Sequence, residues 1–410
     1  MLAHIWFFFF LIAFVSGLYQ WLVLGNGEIF SELIGATFDM SKLSVEIALG
    51  LVGVLCLWLG FFKVAERAGV VAVLARWLGP LFERLMPDVP KGHPAVGSVT
   101  MNLGANVLGL DNAATPIGLK AMKDLQTLNK QTPDTASNAQ ILFLVLNTSS
   151  VTLLPVTVFL YRAQQGAAEP ASVFLPILLA TTASTIVGVA AVAWLQKLRL
   201  WDRVVMLYLA GFVLLLSSLM YGLASLPAEA MAATSTLAGN LTLMCVIMLF
   251  LTVAYFRKVD VYESFVTGAK QGFGVALKII PYLVAMLVAI GVFRASGALD
   301  GVLYGLEWVV AGLGFNTDFV AALPTAFMKP LSGSGARAMM LETMNTYGVD
   351  SFPALVSATI QGSTETTFYV LAVYFGSVGI KKVRHAIACG LIADLAGIIT
   401  AIFAAYWFFY

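Results

Sequence analysis

Nine stretches of about 20 mostly apolar residues recur along the 410-residue chain, near 3–24, 44–62, 138–160, 171–195, 204–223, 238–256, 277–294, 352–376 and 386–409. A run of that length matches the hydrocarbon thickness of a bilayer when helical. Hydrophobic residues make up 60% of the chain and charged residues 11%, far from the balance of a soluble domain. A water-soluble fold could not cover that much apolar surface, so lipid is the expected solvent. Disorder, nucleic-acid binding and a secreted disulfide scaffold are excluded by the same numbers. Net charge is +1, which points to no polyanionic partner. Cys56, Cys245 and Cys389 lie in apolar runs without close partners and read as small buried hydrophobes. His4, His93 and His385 are too scattered to suggest a metal centre. No Lys or Arg precedes the first apolar run, so residues 1–24 are expected to be a retained span and not a cleaved signal.

Two further apolar stretches, 93–127 and 317–346, are interrupted midway by Gly, Pro, Asn and Ser. The stretches 66–86 and 299–315 are shorter, carry charges and read as interfacial helices. With the N-terminus inside and both interrupted stretches dipping in and returning, 18 of the 23 Lys and Arg fall on the cytoplasmic side. Counting either stretch as a crossing inverts every later loop and spoils that bias. The expected fold is therefore an all-α polytopic membrane protein of about nine transmembrane helices plus two re-entrant hairpins. It would reside in the bacterial cytoplasmic (inner) membrane with its N-terminus cytoplasmic.

The chain also repeats itself. Residues 1–200 and 201–410 each carry an interfacial helix, a hairpin and a span with a polar cluster, joined by the charged linker KLRLWDR at 197–203. The hairpin tips read GLDNAATP (109–116) and KPLSGSG (329–335), and the clusters NTSSVT (147–152) and QGSTETT (361–367). Lys120 precedes Asn147 by 27 positions, and Arg337 precedes Gln361 by 24. The loop charges open the first hairpin inward and the second outward, which makes the repeats inverted. Inverted repeats with broken helices are a recurring transporter architecture whose site lies at mid-membrane. A merely structural duplicated bundle has no need of two polar breaks inside lipid.

Backbone that leaves the helix within lipid exposes groups costing several kcal/mol each unless protein or a wet cavity covers them. The tips therefore imply a cavity. Gly333 and Gly335 permit tight turning and close ligand approach. Half-helices starting after the tips direct N–H groups at the cavity, which suits an anion or a carbonyl oxygen. Asn106, Asn112, Thr115, Ser332 and Ser334 add polar side chains, as do Asn147, Thr148, Ser149 and Ser150 in the first cluster and Gln361, Ser363, Thr364 and Thr366 in the second. The Ser and Thr of such clusters also commonly bond their own backbone.

Glu365 is the sharpest residue. It lies about 14 residues into its span, near mid-depth, where a carboxylate costs roughly 3 kcal/mol or more. It is expected to serve as proton site, cation ligand or hydroxyl acceptor; the structural alternative is a carboxylate neutralised by Arg337 or Lys329. Its repeat counterpart is Val151, so the halves differ chemically. Asp111 reads equally as a cation-coupling ligand or as a helix cap. Asp394 is expected to pair with a basic residue at the inner face. The glycines at 291–297 follow no strand and form no phosphate loop, and 332–335 is no nucleophile elbow. The chain is not expected to be an enzyme.

The segment NLGANVLGLDNAATPIGLKAMKDLQTLN (102–129) resembles the signature of the spore maturation protein A family. PLSGSGARAMMLETM (330–344) and ATIQGSTETTFYVLAVYFGSVGIKKVRHA (358–386) resemble that of the spore maturation protein B family. The chain is thus similar to an A–B fusion, each half carrying the nucleoside-recognition or "gate" domain, which is related to concentrative nucleoside transporters. The resemblance implies that the 109–116 and 331–335 tips are hairpin tips and that 147–152 and 361–367 are unwound segments around a solute. It also implies uptake driven by sodium or protons, with Glu365 against sugar hydroxyls. The function expected is alternating-access transport of a small polar solute, nucleoside-like or a small organic acid, with Glu365 and Asp111 as coupling groups. Possible Na+ or H+ coupling aside, no cofactor or metal is expected. The partners expected are the solute, the bilayer and, as an open alternative, further copies in a dimer or trimer; nucleic acid is not expected. The alternative is a non-transporting membrane factor in envelope or spore-type maturation, acting through a partner.

Overall fold

The computed structural model describes all residues except 1, 110, 130–132, 199–200 and 225, and omits the side chains of 2–3, 111–113, 216, 219–220, 224 and 228–229. The expectations placed on Asp111 and Asn112 thus lie outside the described residues. Among those described the fold is all-helical. In chain order the helices are α1 (Leu2–Leu22), α2 (Ile29–Arg67), α3 (Val70–Leu85), α4 (Pro94–Val107), α5 (Asp111–Gln126), α6 (Asn138–Thr148), α7 (Val156–Gln164), α8 (Phe174–Gln196) and α9 (Arg203–Ala224). They continue as α10 (Ala228–Phe256), α11 (Val261–Ala295), α12 (Ala298–Gly312), α13 (Leu323–Met328), α14 (Gly333–Tyr347), α15 (Phe352–Ser363), α16 (Thr367–Gly376) and α17 (Ala386–Phe409).

Among the described residues, six helices are long and apolar enough to cross a membrane: His4–Leu22, Ile29–Arg67, Pro170–Gln196, Ala230–Phe256, Val261–Ala295 and Ala386–Phe409. Large apolar side chains such as Phe7, Leu214, Met244 and Leu395 remain on the surface, as a lipid-facing belt requires. The expected spans 138–160 and 352–376 each consist of two short helices around a break, α6/α7 and α15/α16. The expected spans 44–62 and 277–294 are only parts of α2 and α11, which have 39 and 35 residues. Apolar runs mark where lipid is; the helices continue through the charged residues on either side. α2 and α11 lie antiparallel along one another. A Cβ on Gly268 or Gly272 would meet the α2 backbone at Leu59 or Leu55 and Cys56, and one on Gly291 would meet Met40. Small residues four apart let the two backbones touch, the close-packing device of membrane helices.

Two gatherings of loops define the ends of the bundle. At one, Ala136 N–H donates to Lys382 O at 3.0 Å and Lys381 N–H to Asp134 O at 2.8 Å, and Arg384 Nη1 donates to Ala136 O at 3.0 Å. α6 starts there because Ser137 and Gln140 form a reciprocal cap. At the other end the Arg162 guanidinium reaches Val349 O at 3.1 Å and Asp350 Oδ1 at 2.9 Å. α4 and α5 form a hairpin that opens at the first end, where Thr127 Oγ1 lies 3.4 Å from His93 Nε2. α13 and α14 form a second hairpin, and α14 ends at the other end, next to Val349. The hairpins therefore point inward from opposite ends.

His385 belongs to the first end, outside the long helices. Gln196 Nε2 donates to Asn138 O at 3.1 Å and lies 3.1 Å from His385 Nε2, which accepts as the neutral imidazole. Burial, with a smaller contribution from the Arg384 guanidinium, lowers its pKa below the usual 6.5. The unfolded chain then binds the proton more readily, so this contribution is complete above pH 6.5 and is lost as pH falls through the folded value. Thermal unfolding in detergent is expected to show a drop in Tm from pH 8 to pH 5 that is smaller in His385→Gln; an equal drop in both proteins removes His385 from the pH response.

Candidate functional site

The four polar interruptions meet in the middle of the bundle. In the first broken helix, Asn147 Nδ2 donates to Phe143 O at 2.8 Å and Ser149 Oγ to Val145 O at 2.8 Å, so these side chains close the last turn of α6. Pro155 has no N–H to offer and α7 resumes only after it. Leu153 N–H, inside the break, donates to Val107 O at the end of α4, at 3.0 Å. The second broken helix repeats the arrangement: Phe368 N–H, at the start of α16, donates to Pro330 O in the second hairpin at 3.1 Å. The two breaks also touch each other, through Glu365 N–H donating to Thr148 O at 2.7 Å. Backbone groups freed by each break are thus satisfied by the other half of the repeat or by its own hairpin.

Glycine sets how closely the tips approach. Gly109 has φ +68°, and a Cβ there would lie 2.5 Å from Leu154 O. A Cβ on Gly333 would lie 2.9 Å from Thr366 Oγ1. Each tip therefore rests against the break of its own half. Asn106 Nδ2 donates to Asn147 Oδ1 at 2.8 Å, and Tyr374 O–H donates to the same oxygen at 3.2 Å. In the second hairpin Ser332 Oγ accepts from Gly335 N–H at 3.1 Å and caps α14. Lys329, 3% exposed, donates from Nζ to Gln361 O at 2.6 Å, placing a cation at the C-terminal turn of α15.

Between these parts lies a cavity of about 150 Å³. Hairpin one contributes Asn106 and Gly109, and break one contributes Ser150 and Thr152. Hairpin two contributes Lys329, Gly333 and Arg337, and break two contributes Gln361, Thr364, Glu365 and Thr366. Of the residues singled out from sequence, Asn106, Ser150, Gly333, Gln361, Thr364, Glu365 and Thr366 are brought together on its wall. Asn147, Thr148 and Ser149 are buried behind it. Ser332, Ser334 and Gly335 form the first turn of α14, off the wall. Ser363 turns back to Ile360 O at 2.8 Å, and Thr115 lies half-buried on α5.

Glu365 is exposed to the cavity. Among the described residues no ion pair joins it to Arg337, one of the two neutralising partners considered from sequence. Asp394, expected at a basic partner on the inner face, is 1% exposed and accepts instead from Thr367 Oγ1 at 2.6 Å, directly behind break two. Gly390 and Gly397, one turn to either side of it, let break two settle onto α17. From sequence, Lys329 and Arg337 were considered only as neutralising partners of Glu365 and not as wall residues; Lys329 opens the tip motif at 329–335 and Arg337 lies two residues beyond it, which was the available signal. Among the described residues no group of three or more His, Cys, Asp or Glu is placed to hold a metal ion.

The model of the Gate family, described as nucleoside recognition, matches residues 48–164 and 276–381, one segment in each half and together more than half of the chain. The chain belongs to the Gate family. Both matched segments contain a broken helix and its hairpin tip, so the family pattern covers the cavity wall of this Gate protein. Spore maturation protein B of Bacillus subtilis (strain 168) is 49% identical over 146 residues, 36% of this chain and 80% of that protein. Spore maturation protein A of the same organism is 40% identical over 161 residues, 39% of this chain and 81% of that protein. No solved structure matches. With its apolar helices, the family places this Gate protein among multi-pass membrane proteins.

Proposed function

We propose that this Gate protein is a membrane transporter that moves a small polar solute by alternating access. The observation carrying this reading is the polar cavity formed where two hairpins, directed inward from opposite ends, meet two broken helices. Such a constellation is the recurring midplane site of inverted-repeat transporters. In this reading the two hairpins are re-entrant, nine spans cross the bilayer, and each half of the chain is one gate repeat. The Lys- and Arg-rich end faces the cytoplasm, with the N-terminus on that side of the inner membrane. The solute is nucleoside-like or a small organic acid, bound by the wall residues together with Asp111 and Asn112. Glu365 is the group whose charge couples solute movement to a proton or sodium gradient. One charge crossing 100 mV supplies roughly 2.3 kcal/mol, enough to drive accumulation of a neutral solute.

Protein reconstituted in sealed vesicles is expected to take up solute when a proton or sodium gradient is imposed. Glu365→Gln is expected to abolish gradient-driven uptake while leaving the unfolding temperature nearly unchanged. Full gradient-driven uptake by the variant removes Glu365 from coupling. The relatives' names, spore maturation proteins, favour a second reading in which the chain serves maturation through a partner. Vesicles that take up no solute of any class under either gradient decide for that reading.

A further inference from the structure

Resting on the transport reading, the cavity wall says more about the solute than that it is polar. Arg337 and Glu365 face the same space with opposite charges and are not paired with each other. Arg337 Nε is held by Gly333 O at 3.1 Å, which lays the guanidinium along the first turn of α14 and leaves its Nη groups for a ligand. Beside it, Ser332 takes up Gly335 N–H through Oγ and Ala336 N–H through its carbonyl, and among the described residues the amide of Gly333, on the cavity wall, stays available at the positive end of a 15-residue helix. This corner is built for an anionic group.

The opposite corner is built for a donor. Among the described residues Glu365 makes one hydrogen bond, from its backbone N–H to Thr148 O. Gln361 Oε1 is buried on the same wall without a hydrogen-bond partner among the described residues, in a residue 9% exposed. A buried acceptor left empty beside a carboxylate is costly unless a ligand fills it. An ammonium carries three donors and a positive charge and meets that need. We propose that the solute is a small zwitterion of the amino-acid kind, its carboxylate held by Arg337 and the Gly333 amide and its ammonium by Glu365 and Gln361 Oε1. A solute without a carboxylate would leave the Arg337 corner empty, and one without an ammonium would leave Gln361 Oε1 unfilled.

The test is a thermal-shift titration of the full-length protein in detergent. The probes are free amino acids, dipeptides, amino-acid amides, N-acetyl amino acids, succinate and uridine. Free amino acids are expected to raise Tm, whereas the amides, lacking the carboxylate, and the N-acetyl forms, lacking the ammonium, are not. A response to dipeptides alone assigns the same chemistry to a peptide. Arg337→Gln is expected to weaken binding of the zwitterion about tenfold or more, with partial rescue in Arg337→Lys. A purely structural Arg337 would instead lower the unliganded Tm and leave the affinity unchanged. Uridine or succinate binding in preference to every zwitterion, or no response to any zwitterion, overturns the inference. Vesicle uptake separates this from the transport reading: uptake of uridine keeps transport and ends the zwitterion, whereas zwitterion binding without uptake does the reverse.

Discussion

Replacing Arg162 with methionine is expected to lower the stability of the detergent-solubilised protein by about 3 kcal/mol or more, the largest loss of any single surface-end substitution. The side chain is fully buried. Its guanidinium donates to Pro170 O at 3.2 Å, Glu169 O at 3.3 Å and Val349 O at 3.1 Å, and to Asp350 Oδ1 at 2.9 Å. Methionine fills much of the space and satisfies none of these oxygens. Each stranded buried carbonyl costs about 1–3 kcal/mol. The carboxylate matters less, because the Asp350 side chain is 47% exposed and water can replace the cation. A double-mutant cycle with Asp350→Asn is therefore expected to give a coupling below about 1 kcal/mol. The clamp joins the end of the first broken helix to the turn between α14 and α15, so its loss is also expected to raise proteolysis near 348–351. Urea or thermal unfolding with a loss under about 1 kcal/mol would show that the clamp is replaceable.

Gly109→Ala is expected to be nearly as damaging and to abolish solute binding. A non-glycine residue at φ +68° costs about 1–2 kcal/mol on its own. The added methyl would also lie 2.5 Å from Leu154 O, a backbone atom that cannot rotate away. The tip of hairpin one must lift, which breaks the seat between Val107 O and Leu153 N–H and opens one wall of the cavity. Gly333→Ala is the informative contrast. Its Cβ would meet Thr366 Oγ1, a side-chain atom, at 2.9 Å, and a change of rotamer accommodates it. A stability loss below about 1 kcal/mol with altered binding is expected there. Equal losses at the two glycines would mean that backbone geometry at the first tip is not what holds it.

These contrasts also show what the sequence could and could not disclose. The breaks were legible because Pro155, the Asn147–Ser150 run and the Gln361–Thr366 run are chemically out of place in apolar spans. The expectation of two hairpins entering from opposite faces came from where Lys and Arg fall along the loops. Which members of each cluster face the cavity was not. Asn147 and Ser149 turn onto their own helix, whereas Ser150, one residue on, does not, and that difference is set by where α6 unwinds. Lys329 and Arg337 were considered only as partners of Glu365, although both line the cavity and Lys329 is buried against the end of α15. The lengths of α2 and α11 were missed because hydropathy stops at the first charges and helical hydrogen bonding does not.

Those lengths matter for the molecule as a whole. At 1.5 Å per residue, the antiparallel pair α2/α11 is a strut about 55 Å long, set in a hydrocarbon layer of about 30 Å. Locked backbone to backbone at Gly268 and Gly272, it cannot shorten; it answers a thinner or thicker layer by leaning. Lipid chain length thus becomes a mechanical setting for everything braced against the strut, the tilt of α14 included.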